Sequence, residues 1–148
     1  MNNNKTWILV ADASIARLYA MHKARFLKQS DTKELALINQ FAHEASRKKV
    51  SELITDKMGE FGSGTFVENT NPKLHEAEQF AHEIIHYLDM SRKDKDFRDL
   101  IIIAPPTFMG LLHKHMPGEI NKLISQTIEK DYTKNNAQEL IKNLLQHL

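Results

Sequence analysis

Three groups of side chains in this sequence have types and spacings that could do chemistry. The first is His82-Glu83-Ile84-Ile85-His86. Two imidazoles one helical turn apart with a glutamate between them can hold zinc while the carboxylate acts as a base. Helical projection places His75, Gln79, His82 and His86 together, opposite an apolar stripe, so these rings should face solvent or a partner. A catalytic zinc also needs a third protein ligand and a dry cleft. None can be assigned, so a solvated or adventitiously metal-binding histidine face, with no catalytic metal and no cofactor, is expected; a zinc-dependent hydrolase using His82, Glu83 and His86 is the alternative. The second group is carboxylic: Asp12, Glu76 or Glu78, and Asp131 are candidates for a magnesium-clustering nuclease. The apolar run after residue 99 supplies no acid to that cluster, so turn and capping roles are expected for Asp12 and Asp131. The third group is basic. Arg47, Lys48 and Lys49, with Lys57 and the glycine-bearing stretch Gly62-Ser63-Gly64, offer positive charge with little apolar anchoring, which is enough for phosphate contacts. These seven residues are the candidates for RNA binding, against the simpler expectation that such charges solvate a loop.

The elements that must position these groups follow from hydrophobic patterning. Trp7 to Ala11 and Leu100 to Ala104 are unbroken apolar runs rich in branched residues, as in strands covered on both faces. Both should lie centrally in a sheet. Asp12-Ala13-Ser14 reads as a tight turn, Ile15 to Met21 as an antiparallel return, and Leu35 to Phe41 as a third strand reached through the charged segment His22 to Glu34. From about 42 to 71 the sequence has few apolar anchors and carries Gly59, Gly62 and Gly64. A loop of this length is uncommon unless functional or mobile, and a short helix is expected within Glu44 to Met58. Asn71-Pro72 is a good helix start, a capping side chain followed by a residue suited to the first turn. Ala77, Phe80, Ala81, Ile84, Ile85 and Leu88 then form one helical stripe. Pro105-Pro106 opens another helix carrying Phe108, Leu111 and Leu112, interrupted at Pro117-Gly118. Ser125 to Asp131 is read as a strand, although Ile120, Leu123 and Ile124 also fit a helix. The last helix runs through Ala137, Leu140, Ile141, Leu144, Leu145 and Leu148.

The order β-β-β-α-β-α-β-α predicts a single α/β domain over 1–148, with a mixed five-stranded sheet flanked by helices and a ribonuclease-H-like arrangement. In such a sheet the first, fourth and fifth strands end on one edge, where ligands commonly bind. That edge should gather Asp12, Ser14, Pro105, Thr107, Phe108 and Asp131, with Asp12, Ser14, Thr107 and Asp131 as ligand candidates and Phe108 in the core. Composition bounds the function. The 148 residues carry 20 Lys and Arg against 19 Asp and Glu, a formal net charge of +1, so any attraction for nucleic acid must be local. Cysteine is absent, which excludes disulfides, thiolate metal sites and thiol catalysis. The stretch following Met1-Asn2-Asn3-Asn4 is too short for a signal-peptide core or a membrane span. A cytoplasmic protein without membrane association is expected.

The segments WILVADASIARLY, SELITDKMGEFGSG, NPKLHEAEQFAHEI, DLIIIAPPTFMGLL and IEKDYT, in that order along nearly the whole chain, resemble the family named "protein required for attachment to host cells". That family is similar in turn to the middle domain of archaeal and eukaryotic peptide-chain release factors, which has a ribonuclease-H-like fold and reaches the ribosome. Those factors carry Gly-Gly-Gln on the loop after the third strand, where this chain has Gly59-Glu60-Phe61-Gly62-Ser63-Gly64-Thr65. The glutamine is absent. The resemblance therefore implies a non-enzymatic module that contacts RNA or the ribosome, without peptidyl-tRNA hydrolysis. A direct or indirect part in cell attachment is the other implication. The histidine face and the apolar last helix could each serve a homo-oligomeric interface.

Overall fold

A computed structural model describes residues 5–43 and 72–148. Among the described residues, five strands form one sheet in the order β3-β2-β1-β4-β5. The strands are β1 (Lys5–Ala11), β2 (Ile15–His22), β3 (Ala36–Ala42), β4 (Asp99–Ile103) and β5 (Ile124–Ile128). β1 pairs antiparallel with β2 and parallel with β4; β2–β3 is antiparallel and β4–β5 parallel. The mixed five-stranded sheet flanked by helices is thus the expected one, with the two unbroken apolar runs, β1 and β4, adjacent among its three inner strands.

Alternation along the inner strands builds two cores. Trp7, Leu9, Leu100 and Ile102 face the helices α2 (Pro72–Lys93), α3 (Pro106–Lys114) and α4 (Gly118–Asn121), while Ile8, Val10, Ile101 and Ile103 face α1 (Lys23–Lys28) and α5 (Ala137–Leu145). A strand with both faces covered has no room for polar side chains, which is why these runs are continuous rather than alternating. The α2 stripe is buried as patterned: Ala77, Phe80, Ala81, Ile84, Ile85 and Leu88 are all in the core. No helix among the described residues is long and apolar enough to cross a membrane.

Several expected boundaries are corrected. His22 to Glu34 is not a plain connection: it holds α1, whose Phe26 is fully buried, and a 3-10 turn at Thr32–Glu34 capped by Asp31, which accepts from Lys33 N at 3.0 Å. One large aromatic reaching the second core is enough to hold a six-residue helix that charged neighbours disguise. The third strand runs on through Ala42, so the long segment starts later than 42. β5 occupies Ile124–Ile128 rather than Ser125 to Asp131, and the last helix stops at Leu145, with Leu145 itself 41% exposed. A capping box starts that helix: Asn136 Oδ1 accepts from Glu139 N at 2.8 Å, and Glu139 Oε1 accepts from Asn136 N at 2.9 Å. The expected helix within Glu44 to Met58, the cap at Asn71 and the RNA-binding candidates Arg47, Lys48, Lys49, Lys57, Gly62, Ser63 and Gly64 lie outside the described residues.

Candidate functional site at the carboxyl edge of the sheet

The parallel strands β1, β4 and β5 end on one edge, and the turn after β1 is fixed there by Asp12. Its Oδ1 accepts from the backbone N of Ser14 and of Ile15, each at 2.8 Å, and its own N–H donates to Ile15 O at 2.9 Å. The carboxylate thus supplies the acceptors that a tight turn lacks. Its second oxygen, Oδ2, accepts from Thr133 Oγ1 at 3.2 Å, and the same hydroxyl lies 2.6 Å from Asp131 Oδ1, which also accepts from Thr133 N at 3.0 Å. Arg17 Nη1, from β2, donates to Thr133 O. Thr133 is buried, and through it the hairpin β1–β2 is tied to the chain that follows β5.

Beside this tie opens a mostly apolar hollow of about 430 Å³, lined by Asp12, Ser14, Lys73, Pro105, Thr107 and Phe108 among others. Pro105 is the N-cap of α3 and Pro106 its first residue, so the double proline sets where the helix begins. Of the residues expected at this edge, the hollow brings together Asp12, Ser14, Pro105, Thr107 and Phe108, the first two and Thr107 being the ligand candidates. Asp131 is not one of its lining residues and joins the group only through Thr133. Phe108 is 3% exposed and packs toward Phe80 with ring centroids 6.0 Å apart, a core residue at the hollow's base. Thr133 was not among the candidates. Its only signal was Asp131-x-Thr133, the spacing of a local turn.

The two flanks of the basic, glycine-bearing segment are held at this same edge. His43 N donates to Ser14 O at 3.0 Å, and its ring Nε2 lies 2.5 Å from Glu76 Oε2 on the first turns of α2. Lys73 and Leu74, at the start of α2, line the hollow.

The other acids are engaged elsewhere. Glu76 meets His43, and Glu78 accepts from Lys114 Nζ at 2.5 Å and lies 3.2 Å from His115 Nε2. The hydrogen bond from Lys114 holds the Glu78 carboxyl below its usual range, with His115 adding to the effect and desolvation opposing it. Neither glutamate joins Asp12, as a magnesium cluster would require. On α2 the exposed His75, Gln79, His82 and Glu83 border a shallow depression of about 410 Å³ together with Glu78 and His115. The rings of His82 and His115 meet edge-on with centroids 5.3 Å apart. His86 is exposed one turn further on. Among the described residues no three His, Asp or Glu side chains converge as a metal-binding group. His115 was not anticipated either; the packing of α3 on α2 puts it there.

Fold and edge together define an α/β domain whose parallel strand ends and two helix starts meet on one side, with the described flanks of the basic segment beside them. The model of the family described as "Protein required for attachment to host cells" matches residues 7–144, and the chain belongs to that family. No individually curated protein matches it.

Proposed function

We propose that this member of the host-attachment family is a non-enzymatic cytosolic module that binds RNA or the ribosome through Arg47, Lys48, Lys49 and Lys57. In this reading it is a release-factor-like, ribonuclease-H-like core without the hydrolytic glutamine. The observation that carries it is the clasp at the carboxyl edge. His43 and the first turns of α2, the described flanks of the basic segment, are fixed to each other and to the Asp12 turn. Fixing both flanks of a cationic segment on a firm core restricts its ends, and docking then loses less orientational freedom than a free tail would. The strand order and directions support the ribonuclease-H-like assignment. Attachment follows in this reading as an indirect result of what the module binds.

Co-sedimentation with ribosomes at low and raised salt tests it. Association is expected at low salt and a loss as salt rises. The triple variant Arg47→Ala, Lys48→Ala, Lys49→Ala should bind more weakly and flatten the salt slope by about 2, since each lost contact to a single strand removes ~0.7. Absence of the wild-type chain from the ribosome pellet at either salt would remove the proposal.

A further inference from the structure

The opposite edge of the sheet, where the parallel strands begin, carries a cleft of about 990 Å³ that no reading above uses. Its wall includes Lys5, Arg92, Lys95, Arg98 and Lys122 against Asp96 and Glu119. In a chain whose formal net charge is +1, this is a local concentration of positive charge.

Some of these cations have structural work. Arg92 donates to Asp89 Oδ1 from Nε at 3.0 Å and Nη2 at 2.9 Å, and Lys122 Nζ lies 3.2 Å from Glu119 Oε1. Positive charge near the end of α2 also complements the helix dipole, which accounts for Arg92 and Lys95 in part. It does not account for Arg98, Lys5 or Lys122, which are not in the closing turn of that helix. Arg98 N donates to Lys5 O at 3.1 Å, so the backbone holds these two residues side by side, and the Arg98 guanidinium has no ion pair or hydrogen bond among the described residues.

Two further features point to a ligand. Trp7 lines the cleft, is 5% exposed, stacks on Phe97 at 4.7 Å between centroids, and its indole N–H is buried with no acceptor among the described residues. A buried donor without a partner is uncommon in native proteins and calls for an acceptor. Lys95 is the one non-glycine residue among those described with a positive φ, 61°. It closes α2 where glycine is the usual choice, so a strained backbone holds a cationic side chain at the cleft.

We propose that this cleft binds phosphate groups, with Arg98 as the principal contact and Lys5 and Lys122 beside it. An open cleft of this size admits either a small polyphosphate or a short stretch of RNA backbone. With RNA as the source, the proposal rests on the binding-module reading above; with a small polyphosphate it stands alone. Guanidinium and ammonium groups supply the charge-assisted bonds, and Trp7 in the wall senses their occupancy.

Trp7 is the sole tryptophan, so its emission reports on this cleft alone. The full chain is titrated at low salt with inorganic tripolyphosphate and, separately, with a single-stranded RNA oligonucleotide. Tripolyphosphate should give a saturable change in emission, and Arg98→Ala should weaken it about tenfold, the worth of one charge-assisted bond. Lys122→Ala should weaken it less, and the Arg47, Lys48, Lys49 triple variant should leave it unchanged. RNA that produces the same change with the same sensitivity to Arg98→Ala identifies RNA as the source; RNA that binds without it identifies a small phosphate compound. Tripolyphosphate response with no RNA binding of any kind removes the module reading and keeps the cleft. Silence of Trp7 toward both ligands overturns the proposal. So does a response that survives intact in Arg98→Ala and Lys122→Ala, or one that chloride at equal ionic strength reproduces.

Discussion

Replacing Thr133 by valine keeps the volume and branching of a side chain that is 3% exposed and removes only its hydroxyl. That hydroxyl has one proton and two carboxylate neighbours, Asp131 Oδ1 at 2.6 Å and Asp12 Oδ2 at 3.2 Å. A hydrogen bond to a charged acceptor contributes ~1.5–3 kcal/mol. Asp131 is exposed and Asp12 partly so, and water can replace the lost donor at both, which places the expected loss at the lower end, about 1.5 kcal/mol. For a domain of this size that corresponds to a fall in Tm of about 3–6 °C. Urea unfolding should show a lower midpoint with an unchanged m-value, because the surface exposed on unfolding is the same. Asp12→Asn retains an oxygen for the Ser14 and Ile15 amides while removing the charge. A double-mutant cycle between it and Thr133→Val should give a coupling of about 0.5–1 kcal/mol. Neutrality of Thr133→Val, or strict additivity in the cycle, would show that the contact between the β1 turn and the chain after β5 adds nothing to stability.

Phe26→Ala should cost ~3–5 kcal/mol, since it empties the only fully buried position of α1; a loss under about 1 kcal/mol in the same urea assay would deny that α1 packs on the sheet. Lys95→Gly relieves a left-handed conformation at φ 61° and should stabilise by about 0.5 kcal/mol after the added entropy of the unfolded chain; calorimetry showing destabilisation would contradict this. Glu78 has its pKa lowered by Lys114, so its contribution is present above the ordinary carboxylate range and is lost as pH falls through the folded-state value. Glu78→Gln should therefore be less stable than the parent at pH 7 and indistinguishable from it at the acid end; an unchanged gap in acid would refute the assignment.

Much of the scaffold was legible because the physics that builds it is periodic. Ile8 to Val10 and Leu100 to Ile103 are apolar without interruption because both sheet faces are covered, and Ala77 to Leu88 repeats at the helical period because one face of α2 is. β5 was harder to delimit: Ile124-Ser125-Gln126-Thr127-Ile128 is an edge strand in which only Ile128 is buried and two of the five positions are exposed, so the burial signal is weak. α1 was hidden because Phe26 is its single buried residue among lysines and an arginine. Asn136-x-x-Glu139 has the spacing of a capping box, which marks the start of the last helix. At the carboxyl edge, Asp12, Ser14 and Thr107 could be placed from topology alone, because strand direction decides which turns share an edge. The partners of Thr133 and His115 could not. Thr133 meets Asp12 across 121 positions of sequence, and Glu78 meets His115 across 37; such pairings are set by how whole elements pack, not by spacing.

The bond from Arg17 to Thr133 joins the β1–β2 hairpin to the segment after β5, across 116 positions of sequence. β1 and β2 are neighbours in sequence and can pair early, whereas this joint must wait until β4 and β5 are in place. It is therefore a late event in assembly and an early one to fail. Variants at Arg17 or Thr133 should leave the refolding rate nearly unchanged and appear in the unfolding arm of the chevron, so the joint sets how long the native state lasts rather than how fast it is reached.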